Sequence, residues 1–176
     1  MQPEDTRNVI DIYKGLPLEA IVKDLAAKAQ PIHIAIENYQ HDFNIGSIVR
    51  TANAFNVSGV HIVGKKQWNK RGAMSTQKYL QLYHHKNIED FYSWCNDNKL
   101  AIYGIDNIES SVPLHTIKFP RDLMMVYGQE GPGLSLEMQK ICQQIVAIEQ
   151  FGSTRSINVG AAAAITMYRY LQDNIL

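Results

Sequence analysis

Residues 32–64 carry an apolar run, an amphipathic helical pattern and a second apolar run in direct succession, and this order constrains the fold more than any other feature. Ile32-His33-Ile34-Ala35-Ile36 reads as a short strand that leads into the loop 37–43. Asn44 suits the N-cap of a helix in which Ile45, Ile48, Val49, Ala52 and Phe55 share one face. Gly59-Val60-His61-Ile62-Val63-Gly64 then reads as a buried strand bounded by glycines. Two strands with a helix between them pair in parallel, because a hairpin needs only a turn and a crossover needs a helix.

The same alternation continues along the chain. Over 18–29, Leu18, Ile21, Val22, Leu25 and Ala26 form one helical stripe, and Pro31 closes it. The segment 65–86 lacks periodicity and reads as loop with short helical pieces. Residues 88–98 read as helix, 100–105 as strand, and 123–127 as a fully apolar strand followed by Gly128-Gln129-Glu130-Gly131-Pro132-Gly133. Ser135 suits the cap of a helix that turns Met138, Ile141 and Cys142 inward, and 144–148 is the next strand. The last helix, 157–172, is apolar almost all round, which buries it in the core or against a partner. The expected architecture is an α/β domain over 31–176, a mainly parallel sheet flanked by helices, preceded by an N-terminal helical extension over 1–30.

A chain of 176 residues buries roughly 70% of its unfolded surface and needs no metal or disulfide to hold a core. Cys95 and Cys142 have neither CxxC spacing nor histidine company, so no metal site is expected. No apolar run reaches the ~20 residues of a membrane span. The first five residues lack the basic-then-apolar order of a secretion signal, so the expected location is cytoplasmic. The net charge of zero conceals a segregation. From Phe43 to Ile88 there is no Asp or Glu, yet the stretch holds seven basic residues: Arg50, Lys65, Lys66, Lys70, Arg71, Lys78 and Lys86. The remainder carries 10 basic against 17 acidic residues. Such a stretch reads as a local anion-binding surface, and it also holds the rings of Trp68, Tyr79, Tyr83, His84 and His85.

Three segments place unusual polar residues next to apolar strands. The first is 42–50, where Arg50 lies opposite the apolar stripe and faces water or a ligand. The second is the glycine turn 128–133, beyond the carboxyl end of a strand, where open α/β sheets bind ligands. The third is 151–158. There Ser156 as an N-cap would suffice structurally, while Asn158 before a run of small residues is harder to explain as packing. A dinucleotide-type GxGxxG does not follow the first strand, and the glycine turn lacks the GK[ST] of a phosphate loop.

Taken together and in this order, the segments resemble the three motifs of the SpoU/TrmH family, the RNA ribose 2′-O-methyltransferases of the SPOUT superfamily. N-x-G-x-x-x-R is Asn44-Ile45-Gly46-Ser47-Ile48-Val49-Arg50, and G-x-E-G-x-G is Gly128 to Gly133. S-x-N-V with small residues after it is Ser156-Ile157-Asn158-Val159-Gly160-Ala161-Ala162. The resemblance covers about residues 32–171. Where family members often read I-P-M, this chain has Ile148-Glu149-Gln150, and no separate N-terminal RNA-binding domain is visible.

The resemblance implies a C-terminal trefoil knot, which ordinary topology rules would exclude. It implies S-adenosyl-L-methionine as cofactor, held largely by backbone at Gly128, Ile148 and Ile157, with a branched side chain at Gly128 intruding on the cofactor's space. It implies Arg50, Asn44, Glu130, Ser156 and Asn158 as the catalytic set, Glu130 serving as a counter-charge for Arg50. It further implies tRNA or rRNA as substrate, contacted by Lys65, Lys66, Lys70 and Arg71, and a homodimer across the last helix. The alternative is a SPOUT-fold RNA-binding protein without activity.

Overall fold

The computed structural model describes residues 5–40 and 44–176. The first four residues of the expected signal-free start, and Asp42 and Phe43 of the first motif segment, lie outside the described residues. Among the described residues seven strands form one sheet: β1 (Gln30–Asn38), β2 (Val57–Gly64), β3 (Leu82–His85), β4 (Ala101–Ile105), β5 (Val112–Pro113), β6 (Leu123–Tyr127) and β7 (Gln144–Ala147). Their order is β3-β2-β1-β6-β4-β7-β5, and every pairing is parallel. The helices are α1 (Leu18–Ala27), α2 (Ile45–Ala54), α3 (Ile88–Asp97), α4 (Leu136–Ile141) and α5 (Val159–Asn174).

A parallel sheet is stable when both faces are covered, so its central strands can be apolar throughout. β6 meets that condition, with all five residues buried. Leu123, Met125 and Tyr127 pack with Ile48 of α2 and Met167 of α5 on one face. Met124 and Val126 pack with Phe91 of α3 and Met138 of α4 on the other. Because all strands run the same way, β1, β6, β4 and β7 end at one edge of the sheet, where loops from all four converge.

Several local expectations need correction. Pro31 does not close α1; the helix ends at Ala27 and Pro31 is the second residue of β1. The segment 65–86 contains short helical turns at Arg71–Ala73 and Thr76–Tyr79 but also an edge strand, β3. α5 begins at Val159, with Asn158 and not Ser156 as its cap. Of the α1 stripe, Ile21 alone is buried, and Leu18 is 42% exposed.

On the α3 face, three histidines from adjacent strands are joined in file. His33 Nδ1 lies 3.0 Å from His61 Nε2, and His61 Nδ1 lies 2.9 Å from His85 Nε2. His61 stacks on Tyr83 at 4.5 Å between ring centres and meets Trp94 at 4.4 Å. A file of neutral imidazoles satisfies both inner contacts, His61 donating through one ring nitrogen and accepting through the other. Burial lowers all three, His33 to about 4 and His61 to about 2.

Candidate active site

A cleft of about 330 Å³ opens beyond the carboxyl ends of β4, β6 and β7. Gly128, Ile148 and Ile157 line it, together with Glu130, Ser156 and Asn158. Six of the eight residues named as catalytic or cofactor-binding from sequence thus border one cavity. Asn44 and Arg50 do not line it.

The glycine turn is a tight antiparallel closure: Gln129 and Gly133 exchange two backbone hydrogen bonds, each 3.0 Å. Gly131 and Gly133 take φ of +95° and +72°, a region that favours glycine. Gly128 is required for another reason. A Cβ there would stand 2.1 Å from the carbonyl carbon of Gly133 and 2.2 Å from the nitrogen of Leu134. A branched side chain at Gly128 therefore collides with the turn's own backbone, which corrects the expectation that it would first meet a cofactor.

Two carboxylates that sequence reasoning passed over hold the turn's exit. Asp106, just after β4, accepts from the Leu134 backbone N–H at 2.8 Å. Glu37, fully buried near the end of β1, accepts from the Ser135 N–H at 2.8 Å through Oε2, while its Oε1 has no partner. Desolvation pushes the Glu37 carboxyl upward, the Ser135 hydrogen bonds opposing it. The signal for both was position: an acidic residue where an apolar strand ends.

The first, second and third motif segments meet at Asn44. Its Nδ2 donates to Glu130 Oε2 at 2.7 Å, and its Oδ1 accepts from Asn158 Nδ2 at 2.8 Å. One carboxamide thus ties residues 86 and 114 positions away in the chain. Asn44 does precede α2, but its side chain makes no capping bond, being turned to these partners. Asn158 has a double role. Its Oδ1 accepts from the N–H groups of Gly160 and Ala161 at 2.9 and 3.3 Å, capping α5, while its Nδ2 reaches Asn44. Asn supplies both an acceptor and a donor, which Ser and Asp lack in this combination.

Arg50 is exposed on α2, opposite the buried Ile45, Ile48, Val49 and Ala52. Among the described residues no ion pair joins it to Glu130, which is held by Asn44. Ser156 is exposed at the cleft and its carbonyl accepts from the Thr154 hydroxyl. Glu149 is turned away to the backbone N–H and ring of His115, while Gln150 lines the cleft with a buried Oε1.

Lys65, Lys66, Lys70, Arg71, Lys78 and Lys86 are all exposed. Their loop is pinned close to the site. Asn38 donates to the carbonyls of Lys65 and Gln67 at 2.6 and 3.0 Å, and a Cβ on Gly46 would lie 2.8 Å from Ala73 N. Glycine at position 46 lets α2 press directly against residues 72–73, beside Lys70 and Arg71. Of the aromatics expected there, Trp68 packs half-buried against the core, and Tyr83 and His85 belong to the histidine cluster, where His85 is buried; Tyr79 and Tyr83 are half-buried. Of the pair at 84–85, His84 is exposed and bonded to the Gly64 carbonyl.

Among the described residues no group of His, Cys, Asp and Glu is arranged to hold a metal ion, and no helix is long and apolar enough to cross a membrane.

Residues 31–168 match the model of the SpoU rRNA Methylase family. An uncharacterized tRNA/rRNA methyltransferase of Synechocystis is 28% identical over 160 residues, covering 88% of this chain and 41% of its own length. The tRNA (guanosine(18)-2′-O)-methyltransferase of Escherichia coli is 25% identical over 153 residues, covering 85% of this chain and 67% of its own. This chain therefore spans less than half of the first relative and about two thirds of the second. The crystal structure of an AdoMet-bound rRNA methyltransferase from Sinorhizobium meliloti superposes with a TM-score of 0.72 at 23% identity, over 84% of this chain and 59% of that one, and so shares its fold.

Proposed function

The chain belongs to the SpoU rRNA Methylase family, and on that premise we propose that it transfers a methyl group from S-adenosyl-L-methionine to a ribose 2′-hydroxyl of tRNA or rRNA. The observation that carries the proposal is the junction at Asn44, which draws Glu130 and Asn158 together at the mouth of the cleft. Relatives named as tRNA and rRNA 2′-O-methyltransferases support the reaction class, and an AdoMet-bound structure of the same fold supports the cofactor. The cleft fits such a molecule: it has glycine backbone on one side and aliphatic Ile148 and Ile157 on another.

When bound, the cofactor would supply an electrophilic sulfonium methyl for transfer to the ribose oxygen. The protein's task is to favour the developing alkoxide. Arg50 provides a fixed cation for that oxygen or its neighbouring phosphate. A guanidinium keeps its proton at ordinary pH, so an electrostatic role suits it better than that of a base. Asn44, Glu130, Ser156 and Asn158 orient the ribose, and Gly128, Ile148 and Ile157 hold the cofactor. Lys65, Lys66, Lys70 and Arg71 meet RNA phosphates. The protein acts as a homodimer with α5 in the interface, where Ile165 and Tyr168 are 44% and 48% exposed. A threaded, knotted C-terminal segment and a cytoplasmic location complete the reading.

The test is transfer of labelled methyl to tRNA and rRNA, with the product mapped by mass spectrometry. Wild type should yield 2′-O-methylated nucleotides. Arg50→Ala should lower turnover by at least about 100-fold, the scale of losing one oxyanion donor, with cofactor affinity unchanged. Methylation on a base, or cofactor binding without transfer to any RNA, would overturn the proposal, the second result in favour of an RNA-binding homologue without activity.

A further inference from the structure

The dipeptide Asp106-Asn107, directly after β4, lies outside all three motif segments, yet both residues line the cleft. Each reaches a different wall. Asp106 Oδ2 accepts from the Leu134 N–H at 2.8 Å, at the exit of the glycine turn. The carboxylate packs so closely there that a Cβ at Gly133 would lie 2.4 Å from Oδ2. Asn107 Nδ2 donates to the Arg155 carbonyl at 3.3 Å, in the loop that leads to Ser156 and Ile157. The dipeptide is itself anchored. The Asp106 N–H donates to the Val146 carbonyl of β7 at 3.1 Å, and the Asn107 N–H donates to Asp106 Oδ1 at 2.7 Å.

These bonds make a second tie between the same two walls. Asn44 joins them at Glu130 and Asn158, while Asp106 and Asn107 join them at Leu134 and Arg155. The two ties come from separate parts of the chain, one from the start of α2 and the other from the end of β4. Both oxygens of Asp106 already accept from backbone N–H groups, so what the carboxylate fixes is the wall. Glu37 holds the next residue, Ser135, but does not itself line the cleft. A cleft whose walls are held before binding loses less freedom when a ligand enters, and binds it more tightly for the same contacts.

Resting on the reading of the cleft as the S-adenosyl-L-methionine site, we infer that Asp106 and Asn107 are positioning residues for the cofactor, holding the glycine turn and the segment 155–157 at the separation it needs. Their effect is carried by the Leu134 N–H and the Arg155 carbonyl. Part of the cofactor affinity thus belongs to a dipeptide that no motif includes.

Two measurements on the full chain test this: calorimetric titration with S-adenosylhomocysteine, and NMR backbone order parameters of the ligand-free protein. Asn107→Ala removes one exposed hydrogen bond and should weaken binding by roughly two- to fivefold. Asp106→Ala leaves the Leu134 N–H without its charged acceptor and should weaken binding by at least about tenfold. Asp106→Asn keeps an oxygen for that N–H and should recover most of the loss. Order parameters should fall at 155–157 in Asn107→Ala and at Leu134 in Asp106→Ala, with the strands unchanged. The exposed Asn107→Ala keeps the test available if Asp106→Ala does not fold. Wild-type affinity in the alanine variants would overturn the inference. Weakened binding with unchanged order parameters would overturn it in favour of direct contact with the ligand, and an equal loss in Asp106→Asn and Asp106→Ala in favour of a charge contact. Order parameters that fall throughout the sheet would reduce the dipeptide to general support of the fold. Failure of wild type to bind S-adenosylhomocysteine at all would overturn the underlying reading of the cleft.

Discussion

Asn158 joins helix capping to site assembly, and two substitutions separate these roles. Asn158→Ala removes the acceptor that serves the Gly160 and Ala161 N–H groups, a loss worth about 1 kcal/mol. It also removes the 2.8 Å donation to Asn44, worth roughly 0.5–1 kcal/mol for an exposed neutral pair. The sum, about 1.5–2 kcal/mol, lowers the melting temperature by roughly 3–8 °C in a domain of this size. Asn158→Ser keeps a capping oxygen but is too short to reach Asn44, so it forfeits only the second contribution and roughly 1–4 °C. Turnover separates the variants differently from stability. Both break the junction, so both should lower kcat by about tenfold or more, while scanning calorimetry shows serine nearly as stable as wild type. Methyl transfer to bulk tRNA at saturating cofactor supplies the kinetic readout. A serine variant that turns over like wild type would refute a role for the Asn44 bond in the site. An alanine variant as stable as wild type would refute the cap.

Three further outcomes follow from the structure. Neutralising Lys65, Lys66, Lys70 and Arg71 together should weaken RNA binding on many sequences alike and flatten its log-log salt dependence by roughly 0.7–0.9 for each phosphate no longer neutralised, measured by filter binding; an unchanged slope places the RNA surface elsewhere. Gly128→Ala should destabilise the fold and lower cofactor affinity together, since its methyl lies within 2.4 Å of three backbone atoms of the turn; a stable variant with normal affinity would contradict that crowding. Acid should unfold the protein through the histidine file. The unfolded histidines take up protons near pH 6.5, but burial holds His33 to about 4 and His61 to about 2, so stability is present above pH 6.5 and falls as pH drops below it. Two such groups give a slope of up to about 2.7 kcal/mol per pH unit; a flat denaturant profile between pH 7 and pH 5 would rule this out.

The alternation of apolar strands and amphipathic helices made the α/β class legible, and β6 emerged with the residues that its apolar run marks. Three motif segments were legible as residue types in order. Their junction was not, because no local pattern tells that Asn44 turns from its own helix to Glu130 and Asn158. Pro31 misled for a simple reason: a proline can begin a strand as readily as end a helix. Tyr83 and His85 looked like surface groups because they stand among lysines, yet alternate positions of a strand face opposite ways, and β3 turns these inward. Gln150 was visible as a departure from a pattern, but its buried oxygen became evident only in three dimensions.

An all-parallel sheet has no pairing that a turn can close, and this sets the order in which the chain organises. β1 meets β2 across one helix, with Ile34 opposite Val60, but meets β6 through Met125, some 91 positions along. The longer closure costs about 1 kcal/mol more in chain entropy. The β1-α2-β2 unit is thus the natural folding nucleus, and contacts spanning more than a hundred positions form after the barrier. The bond between Asn44 and Asn158 falls in that late class. Removing it should leave the folding rate almost untouched and appear as faster unfolding, so the candidate site acts on the lifetime of the folded protein and not on its formation.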